Sequence, residues 1–454
     1  MIKTINPTTE EVITQYRFLD QVEVEKFINQ TQQAQRVWKE TGMADRAAGM
    51  RKAADTLIKH KSTYARLMAE EMGKPLPDGE SEIEKCARVC HYYADHAADF
   101  LANEPVPSHS GKSVVTFQPL GIVFAIMPWN FPFWQVFRFA APSLMAGNGA
   151  MLKHAPNVFG CAGAIESIFR EAGFPEGLFQ NLIIDTDMAA KVIAHPAISA
   201  VTFTGSTRAG RLVAEKAGQN LKKTVLELGG SDPYLILEDA NLEIAIKACV
   251  TSRMINNGQS CISAKRFIVS HVIQSEFENR LVAGMAGIQP GNPLSPETKA
   301  GPMARADLRT ALHEQVQKSI DLGAKCLTGG QIPAGKGYFY PPTVLTNIKR
   351  GMPAYQEELF GPVAAIITAH SEEEAIAIAN DTSFGLGAAI FTEDLDKAEK
   401  MASVDIEAGS CYINSFVQSD PVLPFGGIKE SGYGRELSHY GIREFVNIKT
   451  VYIK

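Results

Sequence analysis

Three short segments of this 454-residue chain set a reactive side chain beside glycine or proline at the end of a structured run. The first, Pro128-Trp129-Asn130-Phe131-Pro132, closes the apolar run 121–127. A primary amide there can donate two N–H bonds to an oxyanion, although asparagine between prolines is also ordinary turn chemistry. In the second, Glu227-Leu228-Gly229-Gly230, a carboxylate ends another apolar run. Partial burial would raise its pKa and suit it to general-base work; a capping or salt-bridged glutamate is the plainer alternative. The third, Gly258-Gln259-Ser260-Cys261, puts a thiol on a glycine-bordered loop. Its thiolate is a nucleophile where the surroundings stabilise the charge, whereas an isolated cysteine is more often a buried structural one.

A fourth segment, Thr204-Gly205-Ser206-Thr207-Arg208-Ala209-Gly210, joins a strand pattern to a helix pattern. Ser206 is a good N-cap, and helix N-termini bind phosphate through free N–H groups and the dipole. No Gly-x-Gly-x-x-Gly occurs, so this loop alone is weak evidence for a nucleotide. No metal site is expected, since neither His-Glu-x-x-His nor Cys-x-x-Cys occurs. Cys86 and Cys90, four apart in a helical stretch, fit packing better than ligation.

The elements that must hold these residues can be read from periodicity. Residues 22–103 carry apolar residues at three-and-four spacing and predict several helices. A hairpin-like alternating stretch covers 112–117. Strand-like runs at 121–127, 149–153, 178–184, 200–204 and 224–228 then alternate with helical segments, which predicts a parallel, doubly wound sheet. Gly229-Gly230 marks the boundary to a second α/β set over 231–414, with strands expected at 266–270, 363–368, 388–391 and 410–414. The tail 446–453 is β-prone and should pair; with 113–117 it could extend a sheet into a neighbouring subunit.

With 45% hydrophobic and 21% charged residues the chain reads as well folded. A net charge of −6 without a long basic run argues against nucleic acid or an anionic membrane as partner. The start, MIKTINPTTEEV, has no signal-peptide pattern, and the apolar runs are too short to span a bilayer. Seven scattered cysteines do not form a disulfide framework, so a reducing cytoplasm is expected.

In order and spacing, these motifs resemble those of the aldehyde dehydrogenase superfamily over essentially the whole chain. The match begins at Asn6-Pro7-Thr8 and takes in 128–132, 203–210, 227–230 and 258–261. It continues through Glu357-Glu358-Leu359-Phe360-Gly361-Pro362 to Pro424-Phe425-Gly426-Gly427-x-Lys429-x-Ser431-Gly432. The resemblance implies two doubly wound α/β domains plus a small β extension for oligomerisation. Residues 1–103 and 120–229 would bind the nicotinamide cofactor, 230–428 would be the catalytic domain, and 104–119 with 429–454 the extension, in a homodimer or homotetramer. It also implies that Cys261 attacks the aldehyde and that the Asn130 amide with the Cys261 N–H holds the oxyanion. Hydride then leaves for the nicotinamide, and Glu227 activates the water that hydrolyses the thioester. Implied cofactor contacts are Trp129, Lys153, Phe203, Gly205, Ser206, Leu228, Glu358 and Phe360. Where strongly NAD-preferring relatives carry glutamate three residues after the lysine, this chain has Pro156. Nothing acidic there repels a ribose phosphate, so both NAD and NADP should be accepted, with His154 either assisting or simply packed.

Arg138, eight residues after Asn130, resembles the arginine with which succinate-semialdehyde dehydrogenases hold the distal carboxylate. A structural ion pair is the alternative. Better-known members have another arginine six residues before the nucleophile, where this chain has Ile255. The phrases Leu152-Lys153-His154-Ala155-Pro156-Asn157 and Gly434-Arg435-Glu436-Leu437-Ser438-His439 instead resemble a compact bacterial subgroup. Succinate semialdehyde is the expected substrate, with Ser419 as a possible hydroxyl partner and glutarate semialdehyde or another short aldehyde next. Ser263 takes the place of a second cysteine that forms a redox switch in some relatives. A cysteine–histidine hydrolase and a catalytically silent relative remain as other readings.

Overall fold

The computed structural model describes residues 1–107 and 111–454. The first alternating stretch forms five parallel strands, Ile122–Met127, Gly149–His154, Phe179–Asn181, Ile198–Thr204 and Lys223–Glu227. Numbered along the chain, they lie in the sheet as fifth, fourth, first, second, third. The winding reverses between the first and fourth strands, so a crevice opens beyond their carboxyl ends. The segments carrying Trp129-Asn130 and Gly205-Ser206 both leave there. Helices cover both faces of such a sheet, which is why Ile122–Met127 (IVFAIM) is apolar throughout rather than alternating.

The second stretch forms a seven-stranded sheet in the order 325–328, 343–346, 363–369, 266–270, 233–236, 387–391, 410–413. Only the outermost pair, Lys325–Thr328 with Thr343–Thr346, is antiparallel. These two strands and Pro233–Ile236 were not among the strands expected from the sequence. The run expected to be a strand over 178–184 is paired only at Phe179–Asn181; it is an edge strand, bonded on one side.

The helical amino-terminal region packs against the first sheet. Helix Gln21–Trp38 starts with a capping box between Asp20 and Glu23. Its last residue donates from Trp38 Nε1 to Leu144 O at 2.8 Å, which docks it on helix Trp134–Met145. That helix is buried at every position, with Phe137 stacked on Phe169 at 5.2 Å. Trp134, Gln135 and Arg138 therefore stand on one fully buried helix, to which Asn130 is tied through Gln135.

The β-prone tail pairs within its own chain. Val446–Ile453 runs antiparallel to Lys112–Pro119, which also pairs with Glu104–Val106. Before reaching this three-stranded sheet the chain returns to the first one: Gly432 pairs with Glu227 and Tyr433 with Leu226. Gly432 has φ +112 and lies against the Leu226 carbonyl, where a Cβ has no room. Among the described residues, no helix is long and apolar enough to cross a membrane, and no group of acids, histidines and cysteines could hold a metal.

Candidate active site

Cys261 sits on the loop between helix Leu242–Met254 and strand Arg266–Ser270. The helix is capped by Asn241, whose side chain accepts from Glu243 N and Ile244 N at 3.1 and 3.2 Å. The chain then turns through three successive positive-φ residues, Asn256 (53°), Asn257 (58°) and Gly258 (75°). Asparagine tolerates this conformation because its amide can bond locally, as Asn256 Nδ2 does to Gln259 O at 3.1 Å, and tertiary bonds add to this. Asn257 Nδ2 donates to Gly73 O and Pro302 O at 3.2 and 3.1 Å, and Asn256 Nδ2 to Asn130 O at 2.7 Å. A Cβ at Gly258 would collide with the Gly361 backbone. Just past the nucleophile, the buried Lys265 ammonium donates to the carbonyls of Ser260, Cys261 and Ser263 at 3.0, 2.7 and 3.3 Å.

The same network holds Asn130. Its Nδ2 donates to Gln259 O at 3.0 Å and its Oδ1 accepts from Gln135 Nε2 at 2.9 Å. One amide N–H is thereby used; among the described residues no acceptor takes the other. Phe133 N and Trp134 N both donate to Glu82 Oε1 at 2.9 Å, and Glu82 is ion-paired with buried Lys74. A carboxylate at a helix start satisfies orphan N–H groups and the dipole together.

The Cys261 thiol is half-buried and borders a cavity of about 140 Å³ with Lys85, Trp134, Arg138, Phe416 and Ser419. Burial pushes its pKa up to about 12, opposed by the charges of Arg138 and Lys265. The resting group is therefore the thiol. Glu227, at the end of its strand, is buried, and neither carboxylate oxygen has a hydrogen-bond partner among the described residues. Burial first and Glu436 second hold its pKa well above the usual carboxylate range, against Arg138 and Arg435. Arg138 itself is ion-paired with Glu436 and stacks over the Phe425 ring at 4.6 Å. It borders the cavity, but its charge is already matched by an acid. The structural alternative raised for Arg138 is thus present.

On the crevice side, the N–H of Gly205 donates to Glu227 O at 3.0 Å, and a Cβ at Gly205 would lie 2.6 Å from the Phe203 ring. Ser206 caps helix Thr207–Gln219 by accepting from Ala209 N at 3.4 Å. Phe203 and Leu228 pack together with Leu226. Trp129 meets Phe360 edge-on at 5.8 Å. Lys153 is buried with no ion-pair partner among the described residues, and burial lowers its pKa. Glu358 accepts from Gly230 N at 3.1 Å, lies 3.7 Å from Lys265, and helps line, with Phe360, a cavity of about 430 Å³. The helix N-terminus and the buried Lys153 amine offer donors suited to a phosphate-bearing dinucleotide, and the Glu358 carboxylate offers an acceptor for a hydroxyl. His154 does not contribute to this set. Its Nε2 contacts Pro132 O at 2.9 Å, it is wholly buried, and burial holds its pKa down at about 4. It is neutral packing, not a surface cation.

The profile of the Aldehyde dehydrogenase family matches residues 1–451. The chain belongs to this family. It is 48% identical over 452 residues to a probable succinate-semialdehyde dehydrogenase of Synechocystis sp. named as using NADP+, covering 100% of this chain and 99% of that one. It is 46% identical to a succinate semialdehyde dehydrogenase of Escherichia coli named as using NAD(P)+, covering 99% and 97%. A crystal structure of succinic semialdehyde dehydrogenase from Streptococcus pyogenes, in complex with NADP+, superposes with a TM-score of 0.98 at 38% identity and full coverage of both chains.

For a member of the aldehyde dehydrogenase family, several residues that shape the site escaped sequence reading. Glu436 lies in the phrase 434–439 that stood out, yet nothing local pairs it with Arg138. Lys265, Lys74 and Glu82 look like unremarkable charges until folding buries them. Lys85 is one of several charged residues on helix Leu76–Phe100 and carries no local signal at all.

Proposed function

We propose that this chain oxidises succinate semialdehyde to succinate with NADP+ or NAD+. The observation that carries the proposal is the small cavity with a cysteine thiol on one wall and cationic side chains on another. The names of the full-length relatives support the same substrate and both cofactors. In the proposed reaction Cys261 Sγ bonds to the aldehyde carbon and passes its proton to water, while the free Asn130 N–H and the Cys261 backbone N–H receive the oxyanion. NAD(P)+, when bound, accepts the hydride that leaves the same carbon. A thioester on Cys261 remains, and Glu227 takes a proton from the water that attacks it, which releases succinate and restores the thiol. A carboxylate whose pKa is raised is, once ionised, a stronger base towards water than an ordinary one. Trp129, Lys153, Phe203, Gly205, Ser206, Leu228, Glu358 and Phe360 would hold the cofactor.

In this proposal residues 1–103 and 120–229 serve the cofactor, 230–428 carry the nucleophile, and 104–119 with 429–454 serve assembly into a homo-oligomer. The ion pair of Glu436 with Arg138 and the pairing of the Gly432–Tyr433 strand beside Glu227 support a part for the last segment in the site as well. Ile448 and Ile453, exposed on the tail strand, supply apolar surface for a subunit contact. Seven free cysteines suit a reducing cytoplasm.

The test follows absorbance of reduced cofactor with purified protein, succinate semialdehyde or propanal, and NAD+ or NADP+. Expected is turnover of succinate semialdehyde far above propanal, abolished in Cys261→Ala. Equal turnover of propanal would remove the carboxylate from the proposal, and no reduction with either aldehyde would remove the substrate altogether.

A further inference from the structure

We infer that Lys85, through its ammonium and the hydroxyl it fixes on Ser419, is the seat of the substrate's distal carboxylate, in place of Arg138. This rests on the proposed carboxylate-bearing aldehyde.

The hydrogen-bond inventory around Ser419 decides the geometry. A serine hydroxyl has one proton to donate and two lone pairs to accept with. Ser419 Oγ accepts from Lys85 Nζ at 2.7 Å and from Trp134 Nε1 at 3.0 Å. Both lone pairs are occupied, so the proton must be donated, and no acceptor for it exists among the described residues. Lys85 has three N–H donors and spends one on Ser419. Among the described residues no carboxylate lies within ion-pair distance of it, and it sits over the Trp134 ring, 4.2 Å from its centroid. On the same helix Glu82 is committed to Lys74 and to two backbone N–H groups, and Glu84 to Lys61.

Lys85 and Ser419 border the cavity that holds Cys261, and also a wider one of about 420 Å³ that leads away from it. The seat therefore lies at the mouth of the inner cavity, where the far end of a short aldehyde would rest while its carbonyl meets the thiol. Arg138 borders the same cavity, but its Nε is already ion-paired with Glu436. An unmatched cation costs free energy unless an anion arrives. Burial and the charge of Arg138 lower the Lys85 pKa to about 8, as befits an ammonium waiting for a counter-ion. A carboxylate placed here accepts charge-assisted bonds from Nζ and from the Ser419 hydroxyl.

The experiment uses the full chain as wild type, Lys85→Met and Lys85→Gln. It measures kcat and KM for succinate semialdehyde and for butanal, which has a methyl group where the substrate has its carboxylate. In parallel, succinate is titrated as a protectant of Cys261 against iodoacetamide, read on the Cys261 peptide by mass spectrometry. Expected is a fall in the succinate semialdehyde to butanal ratio of kcat/KM by about 10- to 100-fold, the range of one charged hydrogen bond. The fall should lie mainly in KM, with succinate protection lost in step. Lys85→Gln keeps a hydrogen-bonding head without the charge and should lose the ratio as well, so the test survives if Lys85→Met folds poorly. A wild-type preference for succinate semialdehyde that both variants retain, with protection intact, overturns the assignment and returns the role to Arg138. A wild type that oxidises butanal equally well overturns the carboxylate-bearing substrate itself, a different failure.

Discussion

Arg138→Met should destabilise the protein in a strongly pH-dependent way, because it strands an acid. Arg138 and Glu436 are each 3% exposed and form a buried ion pair. Removing one partner of such a pair typically costs about 3–5 kcal/mol, since the other charge is left in the interior. Glu436 already has a raised pKa from burial, held back chiefly by Arg138. Without the guanidinium it rises further, and Glu227, also restrained by Arg138, rises with it. A carboxyl group with a raised folded pKa binds more protons folded than unfolded. Its stability is complete below the unfolded value, about 4.3, and is lost as pH climbs towards the folded one. Each pH unit between the two values is worth about 1.4 kcal/mol, so the penalty grows as pH rises until the folded value is passed. The measurement is urea unfolding followed by the fluorescence of the three tryptophans, for wild type and variant at pH 5 and pH 8. The variant should unfold at lower urea at both, from lost packing on Phe425, but the gap should be several-fold larger at pH 8. Adding Glu436→Leu should close most of that extra gap. A gap that is constant with pH, or larger at pH 5, would refute the stranded-acid argument.

Three further outcomes follow from the same geometry. Alkylation of Cys261 in cofactor-free protein should speed up about tenfold per pH unit from 7 to 9, since its pKa lies at about 12; a plateau near pH 8, seen on the Cys261 peptide, would contradict this. Lys265→Met should lower kcat by about 100-fold or more and reduce the unfolding temperature, because three loop carbonyls lose their shared donor; near-normal kcat would show that the loop holds without it. Glu71 has its pKa lifted by burial to about 7 although it accepts from Gly160 N and Cys161 N at 2.8 and 3.0 Å. Its contribution to stability should be lost as pH rises from the ordinary carboxylate range through about 7, and Glu71→Gln should flatten that part of the urea-midpoint profile; an unchanged slope would exclude Glu71 as its source.

What the amino-acid order determined by itself was local in character. The apolar run that became the central strand Ile122–Met127 is continuous because both faces of that sheet are buried, and periodicity reports burial directly. Asn130, Glu227 and Cys261 stood out because glycine or proline beside them marks places where the backbone must turn or be approached closely. The family was legible because those turns recur in a fixed order over the whole chain. Tertiary structure alone decided which charges neutralise one another. Arg138 and Glu436 are 298 residues apart, and Lys85 and Ser419 are 334 apart. No local pattern relates such positions. Only packing reveals that one cavity-lining cation has its acid and the other does not, and it is the low dielectric of the interior that makes this difference count.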